Sequence, residues 1–237
     1  MLTVKNLSYR QGMKRILTDI SFQVETGEFI GLLGENGVGK TTLMRALTGL
    51  VIASKETQIS LDGHRDWGSI LAHTAFVPNL NWASQGMTIW NVVSFYQAGY
   101  PDFNQNRWQE IAEELQINSK DKVGHLSKGQ RERLVFALTV SRDASLFLLD
   151  EPFGGVDVMT RRKLLQSLLR WLPDGAMVLM STHEISEIEP VIDRAIILKH
   201  GCLVADKEIE VIREQYQMTL EQYFMKQHAM DRKGVEA

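Results

Sequence analysis

Gly34-Glu35-Asn36-Gly37-Val38-Gly39-Lys40-Thr41-Thr42 follows directly on the apolar run 29–33 and leads into 41–50, which reads as a helix closed by Gly49. Glycines placed this way, between a short buried strand and a helix, leave the chain few options. The strand must end in a tight loop whose backbone N–H groups turn inward. Such a nest, extended by the positive end of the helix behind it, binds phosphate oxygens. The spacing G-x-x-x-x-G-K-T in this strand–loop–helix setting assigns the parts. Gly34, Asn36, Gly37 and Gly39 shape the cradle, and Lys40 reaches the terminal phosphates. The Thr41 hydroxyl holds Mg²⁺, and Thr42 adds a phosphate contact. A plain glycine-rich turn with an exposed lysine is the alternative, and the flanking strand and helix argue against it.

A second element fits the first. Residues 146–149 form an apolar strand ending in Asp150-Glu151, and carboxylates at the carboxyl end of a strand face the crevice where open α/β sheets bind ligands. Asp150 is expected to hold Mg²⁺ through water, and Glu151 to orient and deprotonate an attacking water. Alone, an apolar strand ending in Asp-Glu also reads as a solvated turn; its force comes from the phosphate loop on the same chain.

Residues 2–7 and 20–24 alternate at period two, 160–171 read as a helix, and 177–180 and 195–198 as buried strands. The class is therefore α/β: a core of mainly parallel strands with an N-terminal antiparallel β subdomain. Between 82 and 122 the period turns helical, through Val92, Val93, Phe95, Tyr96, Trp108, Ile111, Ala112, Leu115 and Ile117, with a break at 98–102. This block reads as an inserted α-helical subdomain. It is crowded with rings: Trp82, Trp90, Phe95, Tyr96, Tyr100, Phe103 and Trp108. The expected organisation is a single domain, 1–237, with a core from 1–80 and 141–225, a helical part from 81–140 and a polar tail, 226–237, frayed from 230. Ile209, Ile212, Tyr216, Leu220 and Phe224 recur at helical spacing and are expected to pack.

Several classes drop out. A net charge of -3 gives no reason to expect nucleic acid. No uncharged apolar run approaches the ~18 residues that span a bilayer. The N-terminus lacks the layout of a signal peptide, so a cytoplasmic location is expected. The single cysteine, Cys202, forms no internal disulfide, and the histidines other than His183 have no metal-ligand spacing.

Between the two elements lies Leu126-Ser127-Lys128-Gly129-Gln130, followed by Arg131-Glu132-Arg133. Ser127 by itself reads as a helix N-cap. The whole string resembles the signature loop of ABC ATPases, usually L-S-G-G-Q, with lysine at the third position. The resemblance runs from Leu2 to about Phe224. It implies that Ser127, Lys128, Gly129 and Gln130 grip the γ-phosphate of ATP held by a partner subunit. It also makes Gly154-Gly155-Val156-Asp157 the D-loop, with Asp157 against the opposing subunit. His183, in Met180-Ser181-Thr182-His183-Glu184, matches the switch histidine that reaches the γ-phosphate, which makes it a second catalytic candidate after Glu151.

Two positions depart from the family pattern. Where adenine usually stacks on an aromatic, this chain has Gln11, with Tyr9 two residues away on the same strand face, so ATP and GTP both stay open. The Q-loop glutamine is Asn79, after Val77-Pro78, with Gln85 as a weaker substitute. The resemblance further implies ATP and Mg²⁺ as cofactors and a head-to-tail homodimer or paralogue heterodimer with ATP in the interface. It also implies a separate integral membrane permease that holds the chain at the inner face of the cell membrane. Trp82, Met87 and Trp90 would then lie in the permease groove, with an exposed ring patch expected there. Residues 95–103 and 219–224 resemble the exporter branch. A non-transport ABC ATPase, or a regulatory nucleotide-binding module with little turnover, is the alternative.

Overall fold

A computed structural model describes residues 1–77, 79–154 and 158–229 of the chain. It opens with β1 (Leu2–Gln11), β2 (Lys14–Val24) and β3 (Phe29–Leu33), then α1 (Lys40–Leu47), β4 (Gln58–Leu61), α2 (Trp67–Ala72) and β5 (Thr74–Ala75). Helices follow: α3 (Ile89–Gly99), α4 (Gln105–Glu114), a short 3-10 turn (Val123–His125) and α5 (Lys128–Val140). Alternation resumes with β6 (Leu146–Asp150), α6 (Val158–Trp171), β7 (Met177–Ser181), α7 (Ile185–Ile188), β8 (Arg194–Lys199) and β9 (Cys202–Glu208). The described chain ends in α8 (Ile209–Tyr216) and α9 (Leu220–Ala229).

The strands form two sheets. One is antiparallel, in the order β2-β1-β4; the other runs β5-β6-β7-β3-β8-β9, with its first five strands parallel and β9 antiparallel at the edge. The parallel strands are buried on both faces, and side-chain alternation sorts their residues between two cores. Ile30, Leu32, Leu146, Leu148, Leu179 and Ile196 face α1 and the antiparallel sheet. Phe29, Leu33, Phe147, Leu149, Val178 and Ile197 face the helical block. Fully burying each such side chain is worth roughly 1.5–3 kcal/mol, so the sheet anchors both cores. Because β3, β6 and β7 are parallel, their carboxyl ends open on one edge. Strand β7 lies between the other two, and this brings the phosphate loop and the Asp150-Glu151 pair to the same crevice.

The helical block is built from local signals. Thr88 and Asn91 make a reciprocal cap at the start of α3, and Asn104 caps α4. The helical break expected at 98–102 is where α3 ends. Its rings divide: Tyr96 and Trp108 are buried, whereas Trp82, Trp90 and Phe95 are 42%, 58% and 57% exposed. Trp82 and Phe95 lie against each other with centroids 4.6 Å apart.

At the C-terminal end, the apolar spacing is split by Gln217, at φ 52, into α8 and α9. Ile209, Ile212, Leu220 and Tyr223 are buried from both helices. The stretch expected as a polar tail from 226 begins inside α9. Helix α9 continues to Ala229 because Lys199 Nζ donates to the Gln227 and His228 carbonyls, each at 3.0 Å, and satisfies its last turn. Residues 230–237 lie outside the described residues.

Candidate functional site

The loop after β3 takes its shape from contacts that only glycine tolerates. Gly39 has φ 117, and a Cβ there would come within 2.7 Å of Leu17 Cδ2. Helix α1 starts at Gly39 with no side-chain cap, so no protein side chain competes for its leading N–H groups. The first turn therefore offers donors to an anion. Lys40 is buried and folds back over the loop, donating to the Gly34 carbonyl at 2.7 Å and the Glu35 carbonyl at 3.3 Å. Burial pushes its ammonium below the ordinary lysine value, while the charges of Glu151 and Asp150 pull it back up. Asn36 and Gly37 stand at the exposed tip. Thr41 is exposed on the first turn of α1, and Thr42 is half-buried beside it.

Across β7 stand the carboxylates. Asp150 pairs with Ser181 in the parallel register of β6 and β7. Ser181 is fully buried and contacts both acidic residues. Its Oγ donates to Asp150 Oδ1 at 2.6 Å, and the Glu151 N–H donates to Ser181 Oγ at 3.0 Å and to the Ser181 carbonyl at 3.1 Å. Glu151 itself has φ 47, a left-handed conformation that costs a non-glycine residue about 1–3 kcal/mol and needs its surroundings to hold it. His183 Nδ1 lies 2.9 Å from Glu151 Oε2, and Nε2 lies 3.4 Å from Glu184 Oε1. Lys40, Asp150, Glu151 and His183 are thus brought together. The motif around His183 gives Ser181 no role of its own. Its signal is the hydroxyl at the end of β7, next to the strand that ends in Asp150.

Ser127 is the N-cap of α5. Its Oγ accepts from the Gln130 N–H at 3.2 Å, and Gln130 Oε1 accepts from the Ser127 N–H at 2.8 Å. Among the described residues the polar contacts of Ser127, Gly129 and Gln130 stay within this helix and do not reach the chain's own phosphate loop. The Lys128 side chain is 88% exposed and lies 3.8 Å from Glu132.

Asn79, Lys128, Glu132, Asp150 and Glu151 line one cleft of about 250 Å³. Asn79 Oδ1 accepts from the Asn81 N–H at 3.0 Å. Gln85 instead lies over the 3-10 turn, its carbonyl accepting from the Gly124 N–H at 3.0 Å. Tyr9 is half-buried against the core, whereas Gln11 is exposed where β1 turns into β2. Asp157, with Gly155 and Val156, lies outside the described residues.

The model of the ABC transporter family matches residues 17–154, more than half of the chain. The chain belongs to the ABC transporter family. As an ABC ATP-binding domain it is an ATPase with the P-loop NTPase fold. A peptide-export ATP-binding protein of Bacillus subtilis is 30% identical over 223 residues, covering 91% of this chain and 92% of the relative. An aliphatic sulfonates import ATP-binding protein of Albidiferax ferrireducens is 27% identical over 228 residues, covering 91% and 77%. Relatives of this ABC domain thus include proteins named for both directions of transport. A solved ATP-binding subunit of an ABC transporter superposes with a TM-score of 0.84 at 24% identity, covering 96% of this chain and 99% of that one. A dimeric ATP-binding cassette bound to ADP and Pi does so at 0.74 and 22%, covering 88% and 98%. Among the described residues of the ABC chain, no helix is long and apolar enough to cross a membrane.

Proposed function

We propose that the chain closes with a second copy, or a close paralogue, so that each ATP lies between the phosphate loop of one subunit and the Ser127–Gln130 signature loop of the other. The observation that carries this reading is the grouping of Lys40, Asp150, Glu151 and His183 on one edge, with Ser127, among the described residues, engaged only within its own helix. Each subunit then holds two half-sites that need a partner.

On binding, Lys40 exchanges the Gly34 and Glu35 carbonyls for phosphate oxygens, and the uncapped start of α1 supplies N–H donors. Asp150 and Thr41 are hard oxygen donors at the crevice, one carboxylate and one hydroxyl, a set that suits Mg²⁺ completed by phosphate and water. Bound there, Mg²⁺ neutralises charge on the phosphate oxygens. Glu151 takes the proton of the attacking water. His183, already hydrogen-bonded to Glu151, orients that carboxylate and turns toward the γ-phosphate. The half-buried Asn79 in the shared cleft takes the Q-loop role, Asp157 the D-loop role, and Tyr9 and Gln11 border the base. Residues 81–140 act as the helical subdomain that carries the signature loop.

Hydrolysis opens the pair and drives a separate membrane permease, which holds the chain at the inner face of the membrane. The exposed Trp82–Phe95 pair and Trp90 are its docking surface, since aromatics are enriched at interfaces. We assign the export direction from the exporter-like segments 95–103 and 219–224.

Turnover of Mg-ATP by purified wild type, Glu151→Gln and His183→Ala tests the reading. Both variants should retain nucleotide binding and lose hydrolysis, by about 10²–10⁴-fold for the general base. Undiminished turnover in Glu151→Gln would remove Glu151 from that role.

A further inference from the structure

Arg142 belongs to none of the motifs above, yet it is one of the few buried charged residues, 3% exposed. It stands immediately beyond Ser141, the C-cap of α5, at the opposite end from Ser127. Its guanidinium joins three parts of the molecule. Nε donates to Asp102 Oδ1 and Oδ2 at 3.0 and 3.1 Å, and Nη2 donates to Asp102 Oδ2 at 2.9 Å. Nη1 donates to the Thr74 carbonyl of β5 at 2.6 Å, and Nη2 to the Ala72 carbonyl of α2 at 2.8 Å. The plane lies over the Tyr100 ring, 4.1 Å from its centroid.

The same end of α5 is held a second time. Arg107 of α4 donates to the Val140 and Arg142 carbonyls at 3.3 and 2.8 Å, and the Asn104 N–H donates to the Ser141 carbonyl at 2.7 Å.

A buried arginine is tolerated only when its charge and all its donors are met, and the planar fork makes that arrangement directional. Here the fork fixes the C-terminal end of α5 to the edge strand β5 and to the turn after α3. Helix α5 spans roughly 20 Å at 1.5 Å per residue, so a tilt of a few degrees at Arg142 moves Ser127 by an ångström or more. Positioning errors of that size matter where a hydrogen bond must reach a phosphate in another subunit.

We propose that Arg142, through Asp102, is the positioning residue that sets the angle of α5 against the core and so presents Ser127 and Gly129 to the partner's nucleotide. The proposal rests on the two-subunit site described above. It separates two properties that a general packing role would couple. The phosphate loop and α1 pack on the opposite face of the sheet, so nucleotide binding by a single subunit does not depend on the clamp, whereas closure of the pair does.

The test uses the full chain carrying Glu151→Gln as parent, with Arg142→Lys and Asp102→Asn added separately. Lysine keeps the charge and loses the fork. The Asp102→Asn change keeps the side-chain shape at a half-exposed turn and serves if the buried substitution prevents folding. Binding of a fluorescent ATP analogue by dilute monomer is compared with Mg-ATP-dependent dimerisation by sedimentation. We expect the dimer dissociation constant to rise tenfold or more, with monomer nucleotide affinity unchanged within twofold. Dimerisation equal to the parent, or a loss of nucleotide binding as large as the loss of dimerisation, overturns the assignment to Arg142. A parent that stays monomeric with Mg-ATP overturns the two-subunit site, and this proposal with it.

Discussion

Replacing Ser181 by alanine removes one oxygen that holds both the Asp150 carboxylate and the Glu151 backbone. The lost contacts are the 2.6 Å bond to Asp150 Oδ1 and the 3.0 Å bond from the Glu151 N–H. A hydrogen bond to a charged group contributes about 1.5–3 kcal/mol. The Glu151 N–H keeps its second partner, the Ser181 carbonyl, so the backbone bond costs less. Ser181 is fully buried, so water does not replace the hydroxyl. Stability should therefore fall by about 1.5–3 kcal/mol. If that energy holds Asp150 and the left-handed Glu151 in the reacting geometry, kcat falls roughly 10- to 150-fold, since about 1.4 kcal/mol is a factor of ten. Urea unfolding gives the first number and steady-state Mg-ATP hydrolysis the second. Ser181→Ala with wild-type kcat and the expected loss of stability would refute the positioning argument, because the hydroxyl would then be a packing feature alone.

Three further outcomes follow from the same geometry. Burial raises the Glu132 carboxyl above its ordinary value, with Lys128 opposing the rise and Glu151 adding to it, and its Oε2 has no hydrogen-bond partner among the described residues. A raised carboxylate favours the folded state only while protonated, so its ionised form destabilises at neutral pH. Glu132→Gln should raise the melting temperature near pH 7, and the gain should vanish as pH falls below about 4, where both side chains are neutral; an equal gain at both pH values contradicts this. Gly39→Ala forces a side chain onto φ 117, so denaturation should show a loss of about 1–3 kcal/mol together with weaker ATP binding. Trp82→Ser with Phe95→Ser should leave basal ATPase activity within twofold of wild type and abolish co-purification with a membrane partner, whereas retained co-purification would place docking elsewhere.

The parts of the site that were legible in the sequence are contiguous strings tied to one strand end. Gly34 to Thr42, Asp150-Glu151 and His183 each sit where an apolar run stops, and strands β3, β6 and β7 were readable from those runs. What stayed hidden depends on register. Ser181 meets Asp150 only because β6 and β7 pair in parallel with those residues opposite. Arg142 and Asp102 are forty residues apart and carry no motif. Helical spacing led to an exposed ring patch being expected in the 82–122 block, but not to which rings would form it: Phe95 joins Trp82 and Trp90 at the surface, while Tyr96 and Trp108 are buried. The polar composition of 226–229 likewise gave no sign that Lys199 would meet the last carbonyls of α9.

The two-subunit site is tested most directly by the solution mass of Glu151→Gln with no nucleotide, with Mg-ATP and with Mg-GTP. Nucleotide should bind and persist uncleaved, shifting the 26.9 kDa monomer to twice that mass. The more effective nucleotide identifies the base that the chain prefers. A monomer under all three conditions, with nucleotide shown to be bound, would contradict a site completed by Ser127 of a second subunit.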